Sequence, residues 1–300
     1  MGQSAVHQRM AEPTDTPPAP AADALDTPAF EVLACAGPKT GLVFASAHSG
    51  RHYPQDMGTV APLETVRTTE DAHVDLLIAG AEAMGADVIV CHTGRAYVDL
   101  NRNAADLDPA LIRDCPVPEG SAKALAGYGV IHRQSGNGLP LYGHRLDMAA
   151  VQARLDRVHR PYHQALGGLM HQAKAQAGRA VLVDWHSMPQ RATGRGGPDI
   201  VLGDRFGSSC DAVWTRRVRS LFEAEGWRVG LNRPYAGGYA TQIWGRPDEG
   251  LHALQIEINR ALYWDEAKHQ PSEGWKRCAG VIRRVMTRLC QQAAQDLGQP

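Results

Sequence analysis

The sequence has no run approaching the roughly 18 uninterrupted apolar residues of a membrane-spanning helix, so no membrane partner is expected from its apolar pattern. It also lacks a surplus of either charge: 31 Lys and Arg against 32 Asp and Glu leave a formal net charge of −1. Bulk electrostatics therefore give no reason to expect nucleic acid or an anionic membrane surface as a partner. Six cysteines, Cys35, Cys91, Cys115, Cys210, Cys278 and Cys290, form no CxxC pair. That excludes the short-spaced zinc and redox motifs and reads as reduced, structural thiols in a cytoplasmic protein. No internal repeat is present, which excludes a solenoid or propeller. Residues 1–30, rich in Ala, Pro, Asp and Thr, have no basic segment followed by an apolar one, so they do not read as a secretory signal. A disordered leader is expected there, with residues 31–300 as a single domain.

What the chain does contain is ordinary material for a buried core: 300 residues, 43% hydrophobic and 21% charged. Short apolar, β-branched runs alternate with amphipathic segments. Strands are predicted at Leu42–Ala45, Asp87–Cys91, Ala180–Val183, within 199–207, at Arg228–Leu231 and at His252–Asn259. Helices are predicted over Thr68–Met84 with an N-cap threonine and closure at Gly85, over Arg145–Gln176 with a break or kink at Pro161, over Asp211–Glu225, and over Asp265–Leu297 with interruptions at Pro271 and Gly274. Ser121–Tyr142 is Gly-rich without a period and reads as loop and short strands, Arg191–Gly197 as a basic, glycine-rich loop, and PYAGGY at 234–239 as a tight turn. The alternation implies an α/β fold with a mixed, largely parallel sheet covered on both faces.

Four of the apolar strands deliver polar groups at or just beyond their ends: His48, then Arg95 to Arg102, then Asp184 to His186, and Glu257. In open α/β sheets ligands bind beyond the carboxyl ends of strands. Two His and one carboxylate with an open position make a catalytic zinc set. A further carboxylate to activate water and an Arg to meet a developing oxyanion complete the requirements of amide hydrolysis.

The segments AHSGRHYP (47–54), EDAHVD (70–75), RAYVDLNR (95–102), VDWHSMP (183–189), DIVLGDRFG (199–207), NRPYAGGY (232–239) and ALQIEINRALY (253–263) resemble the N-formylglutamate amidohydrolases, relatives of the zinc carboxypeptidases and aspartoacylases. The resemblance covers most of residues 40–266 in order. It implies a three-layer α/β/α sandwich forming one catalytic domain. It also implies a zinc-dependent cleavage of N-formyl-L-glutamate to formate and L-glutamate, a step of histidine degradation. Carried over, His48 and His186 would bind Zn²⁺. The family's carboxypeptidase relatives use H-x-x-E, but Arg51 stands three residues after His48, so the acidic ligand would be Asp71, with Glu70 second. Glu257 would be the general base, Arg95 would polarise the formyl oxygen, and Asn101 and Arg102 would hold the α-carboxylate. Tyr235, Gly237 and Gly238 would line the substrate site.

Plainer roles stand beside these. Asp71 could serve only the dipole of its helix, Arg102 could pair with Asp99 or Asp106, and Glu257 could be half of a buried ion pair. PYAGGY could be only a turn. His52, His73, His92, His132 and His163 read as structural or exposed. The side-chain carboxylate of a glutamate substrate would need another cation, for which Arg51, Arg133, Arg191, Arg195 and Arg260 all stand as candidates. Deacylation of another N-acyl amino acid or small peptide, and non-catalytic binding of acidic amino acids, are the alternative functions.

Overall fold

A computed structural model of the chain describes residues 27–297. Residues 1–26 of the expected leader lie outside the described residues. Strand pairing begins at Phe30, the first residue of β1 (Phe30–Leu33). The remaining strands of the main sheet are β2 (Leu42–Ser46), β3 (Asp87–Cys91), β4 (Ala180–Met188), β5 (Ile200–Gly203), β6 (Val229–Leu231) and β7 (Leu251–Asn259). Seven strands lie in the order β1-β3-β2-β4-β7-β5-β6. β2 runs parallel to β3 and β4, β4 to β7, and β5 to β6. β1 and β5 are antiparallel to their neighbours β3 and β7.

Two apolar cores, one on each face, make the three layers of an α/β/α sandwich. On one face the helices Ala212–Ala224 and Trp275–Leu297 pack over Phe44, Val183, Trp185 and Ile256. On the other, the long helix ending at Ala177 packs over Val43, Ala45, Leu182 and Ala253. The strands β2 and β3 are buried at every position, which is why they appear in the sequence as continuous apolar runs rather than alternating ones. Among the described residues no helix is long and apolar enough to cross a membrane, and all six cysteines are free.

Several elements depart from the sequence reading. The helix predicted over Thr68–Met84 is instead a broken path. A helix over Leu63–Arg67 has Thr68 as its C-cap, a short helix covers Val74–Leu77, and a 3-10 turn covers Ala81–Met84. His73 and Gly80 take positive φ (54° and 85°) and interrupt any single helix. β4 does not stop at Val183 but runs on through Asp184, Trp185 and His186 to Met188. Residues 234–238 form an irregular segment that feeds the helix Tyr239–Trp244 rather than a tight turn. The C-terminal helix starts at Trp275, and the residues before it form a small hairpin, Trp264–Asp265 with Gln270–Pro271. The helix predicted over Arg145–Gln176 runs from Met148 to Ala177 and is interrupted by a π-helical turn at Leu155–His159, with Pro161 in the first turn that follows. Within Ser121–Tyr142, Ala122–Leu125 is a single helical turn.

Phe222 tests the core away from the polar groups described below. It is fully buried and its ring stacks on Trp227, 5.8 Å between centroids and 7° between planes. Phe222→Ala is expected to cost about 3–5 kcal/mol in denaturant unfolding, while turnover measured well below the transition stays near wild type.

Candidate metal centre and active site

His48 lies two residues past the end of β2 and is buried. The chain returns to it at Asp71, whose backbone N–H donates to the His48 carbonyl at 3.0 Å. This contact, made after the helix Leu63–Arg67 has ended, accounts for the interruption of the predicted helix. The third group, His186, sits inside β4 directly opposite Glu257 of β7 in the parallel register. Side chains alternate across a strand. Val181, Val183 and Trp185 enter one core, so Asp184 and His186 share the other face; Leu254, Ile256 and Ile258 likewise leave Gln255 and Glu257 on that face.

The three side chains converge on one point. Asp71 Oδ2 lies 2.8 Å from His186 Nδ1 and 3.4 Å from His48 Nδ1, and one ligand atom from each residue lies within 4.8 Å of the others. His48 Nδ1 is buried and has no hydrogen-bond partner. Its other nitrogen, Nε2, donates to Asp99 Oδ1 at 2.6 Å, which leaves the Nδ1 lone pair aimed at the cluster. Asp184 Oδ2 stands 2.9 Å from His186 Nε2, but too obliquely for a directed hydrogen bond, and it acts on the ring as a charge. A carboxylate behind each imidazole is the arrangement that orients histidine ligands. Two imidazole nitrogens and a carboxylate oxygen fit a divalent ion of the zinc type. Glu70 is directed elsewhere, to Arg67 Nε and Tyr53 Oη, both at 3.2 Å.

The electrostatics separate the carboxylates. Burial alone would raise Asp71, but the hydrogen bond from His186 and the nearness of His48 hold it well below the ordinary range. Asp99 is also held low, the charges of Arg95 and His48 outweighing its burial. Burial would lower His186, yet Asp184 and Asp71 pull it well above its usual value. Glu257 moves the other way. Burial pushes its carboxyl up to about 7 against the opposing charges of His186, Arg95 and Arg260. Among the described residues its carboxyl takes one hydrogen bond, from Gln255 Nε2 at 2.7 Å, and belongs to no ion pair.

All ten of the site residues expected from the sequence line one cavity of about 410 Å³. Arg95 donates to Asp99 at 2.8 Å and stands 3.8 Å from Asp71, while its Nε is buried without a partner. Arg102 pairs with neither Asp99 nor Asp106; its Nε donates to the Tyr128 carbonyl at 3.0 Å. The Asn101 amide is engaged within the protein. Its Oδ1 accepts from Ala240 N at 2.9 Å, and its Nδ2 stands 3.2 Å from His186 Nε2. A Cβ at Gly238 would fall 2.3 Å from that amide, so this glycine is required by packing against Asn101.

Sequence reading missed Asp99 and Asp184 as the carboxylates behind the histidines, and it left His132 among the structural ones. His132 lines the cavity and shares Asp99, its Nε2 donating to Oδ2 at 2.8 Å. Burial takes its ring down to about 4, so it stands neutral beside that carboxylate. The i, i+2 spacing of Asp184 and His186 was a usable signal, because it puts both on one face of a strand.

A family model described as N-formylglutamate amidohydrolase matches residues 40–264. The chain belongs to this family. The N-formylglutamate deformylase of Pseudomonas aeruginosa is 30% identical over 245 residues, covering 79% of this chain and 86% of that protein. That of Pseudomonas putida is 30% identical over 205 residues, covering 66% and 72%. The crystal structure of an N-formylglutamate amidohydrolase from Ralstonia eutropha JMP134 aligns with a TM-score of 0.85 at 32% identity, over 90% of this chain and all of that one. A gene product of Agrobacterium tumefaciens, 18% identical with a TM-score of 0.63, shares the fold. As a member of the N-formylglutamate amidohydrolase family, the protein is a hydrolase acting on an amide C–N bond.

The convergence of His48, Asp71 and His186 makes a direct expectation about metal content. Wild type is expected to retain about one zinc per chain, and His48→Ala, Asp71→Ala and His186→Ala should each lose it with circular dichroism preserved, whereas Glu70→Ala should keep it. Asp184→Asn should retain zinc about 10–100-fold more weakly in a chelator competition. Full occupancy in any of the three alanine variants removes that residue from the ligand set.

Proposed function

We propose that the protein hydrolyses N-formyl-L-glutamate to formate and L-glutamate, a reaction that serves histidine degradation, with Zn²⁺ held by His48, Asp71 and His186. One observation carries this reading: a metal-type donor set and a separate carboxylate, Glu257, face one cavity, with His186 and Glu257 opposite each other on paired strands. Membership of the family supports the choice of substrate. When bound, the ion supplies Lewis acidity and makes a water molecule easier to deprotonate.

The chain's own groups account for the rest. Glu257 takes the proton of the water whose oxygen bonds to the formyl carbon, and returns it to the nitrogen as the C–N bond breaks. A carboxyl raised by burial towards neutrality is suited to both transfers. Gln255 fixes its orientation. Arg95, held by Asp99 and with a free Nε, meets the negative charge that builds on the formyl oxygen. Arg102 holds the α-carboxylate, Tyr235 and Gly237 wall the cavity beside it, and Asn101, with Gly238 packed against it, braces His186 and the start of the following helix.

Formate release from N-formyl-L-glutamate by the zinc-loaded protein tests the reading, and failure to release formate from it overturns the substrate assignment. Two variants then separate the roles. Glu257→Gln keeps the shape and should lower kcat about 10²–10⁴-fold with zinc retained. Arg102→Ala removes a charge-assisted contact worth roughly 1.5–3 kcal/mol and should act mainly on KM. A near-normal kcat in Glu257→Gln means that another group is the base.

A further inference from the structure

Five cations line the cavity, and they are not equivalent. Arg95 is neutralised by Asp99, and Arg260 by Asp71 at 3.1 Å and Glu266 at 3.7 Å. Arg102, Lys123 and Arg191 pair with no carboxylate among the described residues. Of the other arginines that a second substrate carboxylate could call on, Arg51 is taken by Asp75 at 2.7 Å and Arg133 by Asp108 at 2.7 Å. Arg195 is exposed and outside the cavity lining.

Lys123 and Arg102 belong to one unit. The Lys123 carbonyl accepts from the Tyr128 N–H at 2.9 Å, and the Tyr128 carbonyl accepts from Arg102 Nε at 3.0 Å. The helical turn that carries Lys123 is fixed by Ser121, whose hydroxyl accepts from Ala124 N at 3.0 Å and also bonds to Asp106. Arg191 differs, since it spends a terminal nitrogen on the Gly136 carbonyl at 2.6 Å, joining two loops on the cavity wall. We propose that Lys123 is the specificity-determining residue that reads the side-chain carboxylate of an N-formyl dicarboxylic amino acid while Arg102 holds its α-carboxylate. This rests on the deformylase reading of the site and goes beyond it by naming the residue that separates glutamate from neutral side chains. Two neighbouring cations with no protein counter-charge repel each other, and a ligand carrying two carboxylates relieves that repulsion as a ligand carrying one cannot. The Lys123 ammonium bears the mark of it, held below its ordinary value by burial and by the charges of Arg102 and Arg95.

The test is kcat/KM on N-formyl-L-glutamate and on N-formyl-L-glutamine, which differ by one charge. Lys123→Met should lower the value for glutamate roughly 10–100-fold, chiefly through KM, and far more than the value for glutamine, as expected for a lost charge-assisted contact. Lys123→Arg should restore most of the preference, and Arg191→Gln should leave the ratio of the two substrates where it was. An unaltered ratio in Lys123→Met, or a ratio lost in Arg191→Gln instead, overturns the assignment. Calorimetric binding of L-glutamate against L-glutamine to the zinc-loaded protein gives an independent readout. A wild-type protein that releases no formate sinks the deformylase reading, while a glutamate preference abolished by Lys123→Met still supports the lysine.

Discussion

Asp99 has no exposed surface, yet it accepts hydrogen bonds from four donors: His48 Nε2 at 2.6 Å, His132 Nε2 at 2.8 Å, Arg95 at 2.8 Å and the Asn101 backbone N–H at 2.8 Å. A buried carboxylate is tolerated only when it is surrounded in this way, because removing one partner of such a pair typically costs about 3–5 kcal/mol. The same requirement organises the site. His48 follows β2, Arg95 and Asn101 belong to the stretch after β3, and His132 comes from the Gly-rich segment beyond it. The need to satisfy one charge therefore draws three separate parts of the chain to one place. It also orients His48, leaves its Nδ1 free, and turns Arg95 towards the cavity.

The second constraint is the pairing of β4 with β7. Each is nine residues long and buried throughout, and each gives three alternate residues of one face to the apolar core, Val181, Val183 and Trp185 from β4 and Leu254, Ile256 and Ile258 from β7. On the opposite face Asp184, His186, Gln255 and Glu257 stand where a purely structural sheet would carry Val or Leu. Such polar positions are stable only because they hold one another: Gln255 binds Glu257, Asp71 binds His186, and Arg260 binds Asp71. Because the two strands are parallel and in register, His186 and Glu257 face the cavity side by side without any loop to place them. The chemistry is thus set on the longest pair of strands in the sheet.

This explains what could be read beforehand and what could not. β2, β3 and β5 are visible as apolar runs because both faces are covered. β4 was read four residues long because its second half alternates polar groups with Trp185, a pattern that resembles the start of a loop unless the polar face is known to line a cavity. The stretch Thr68–Met84 has helical composition, but Asp71 must reach His48, and His73 takes a left-handed conformation just after it; a tertiary contact overrides local propensity there. The motif residues that contact the cavity were legible as side-chain types. Asp99 and Asp184 were not legible in their roles, since nothing in a linear sequence says that a carboxylate stands behind a particular imidazole. Lys123 was hidden for another reason: it sits in a segment without periodicity, where position is decided by Ser121 and Tyr128 rather than by any repeat.

Asp71 and Glu257 show how one cavity gives two carboxylates opposite characters. Both are buried, so desolvation raises both. Asp71 receives His186 and Arg260 by hydrogen bond and lies beside His48, and these contacts overcome burial and keep it ionised. Glu257 receives one neutral amide, and burial wins. Such a division, rather than the identity of the residues, is what assigns a carboxylate to holding a cation or to moving a proton. The two are not independent, because Asp71's charge itself helps to raise Glu257. A divalent ion on Asp71 and the two histidines would offset that negative charge and draw Glu257 downwards, towards the ionised form a base requires. The donor set and the base are therefore coupled electrostatically: the same cation that the His48–Asp71–His186 cluster fits would make Glu257 ready to accept a proton, and its loss would leave Glu257 closer to the protonated state.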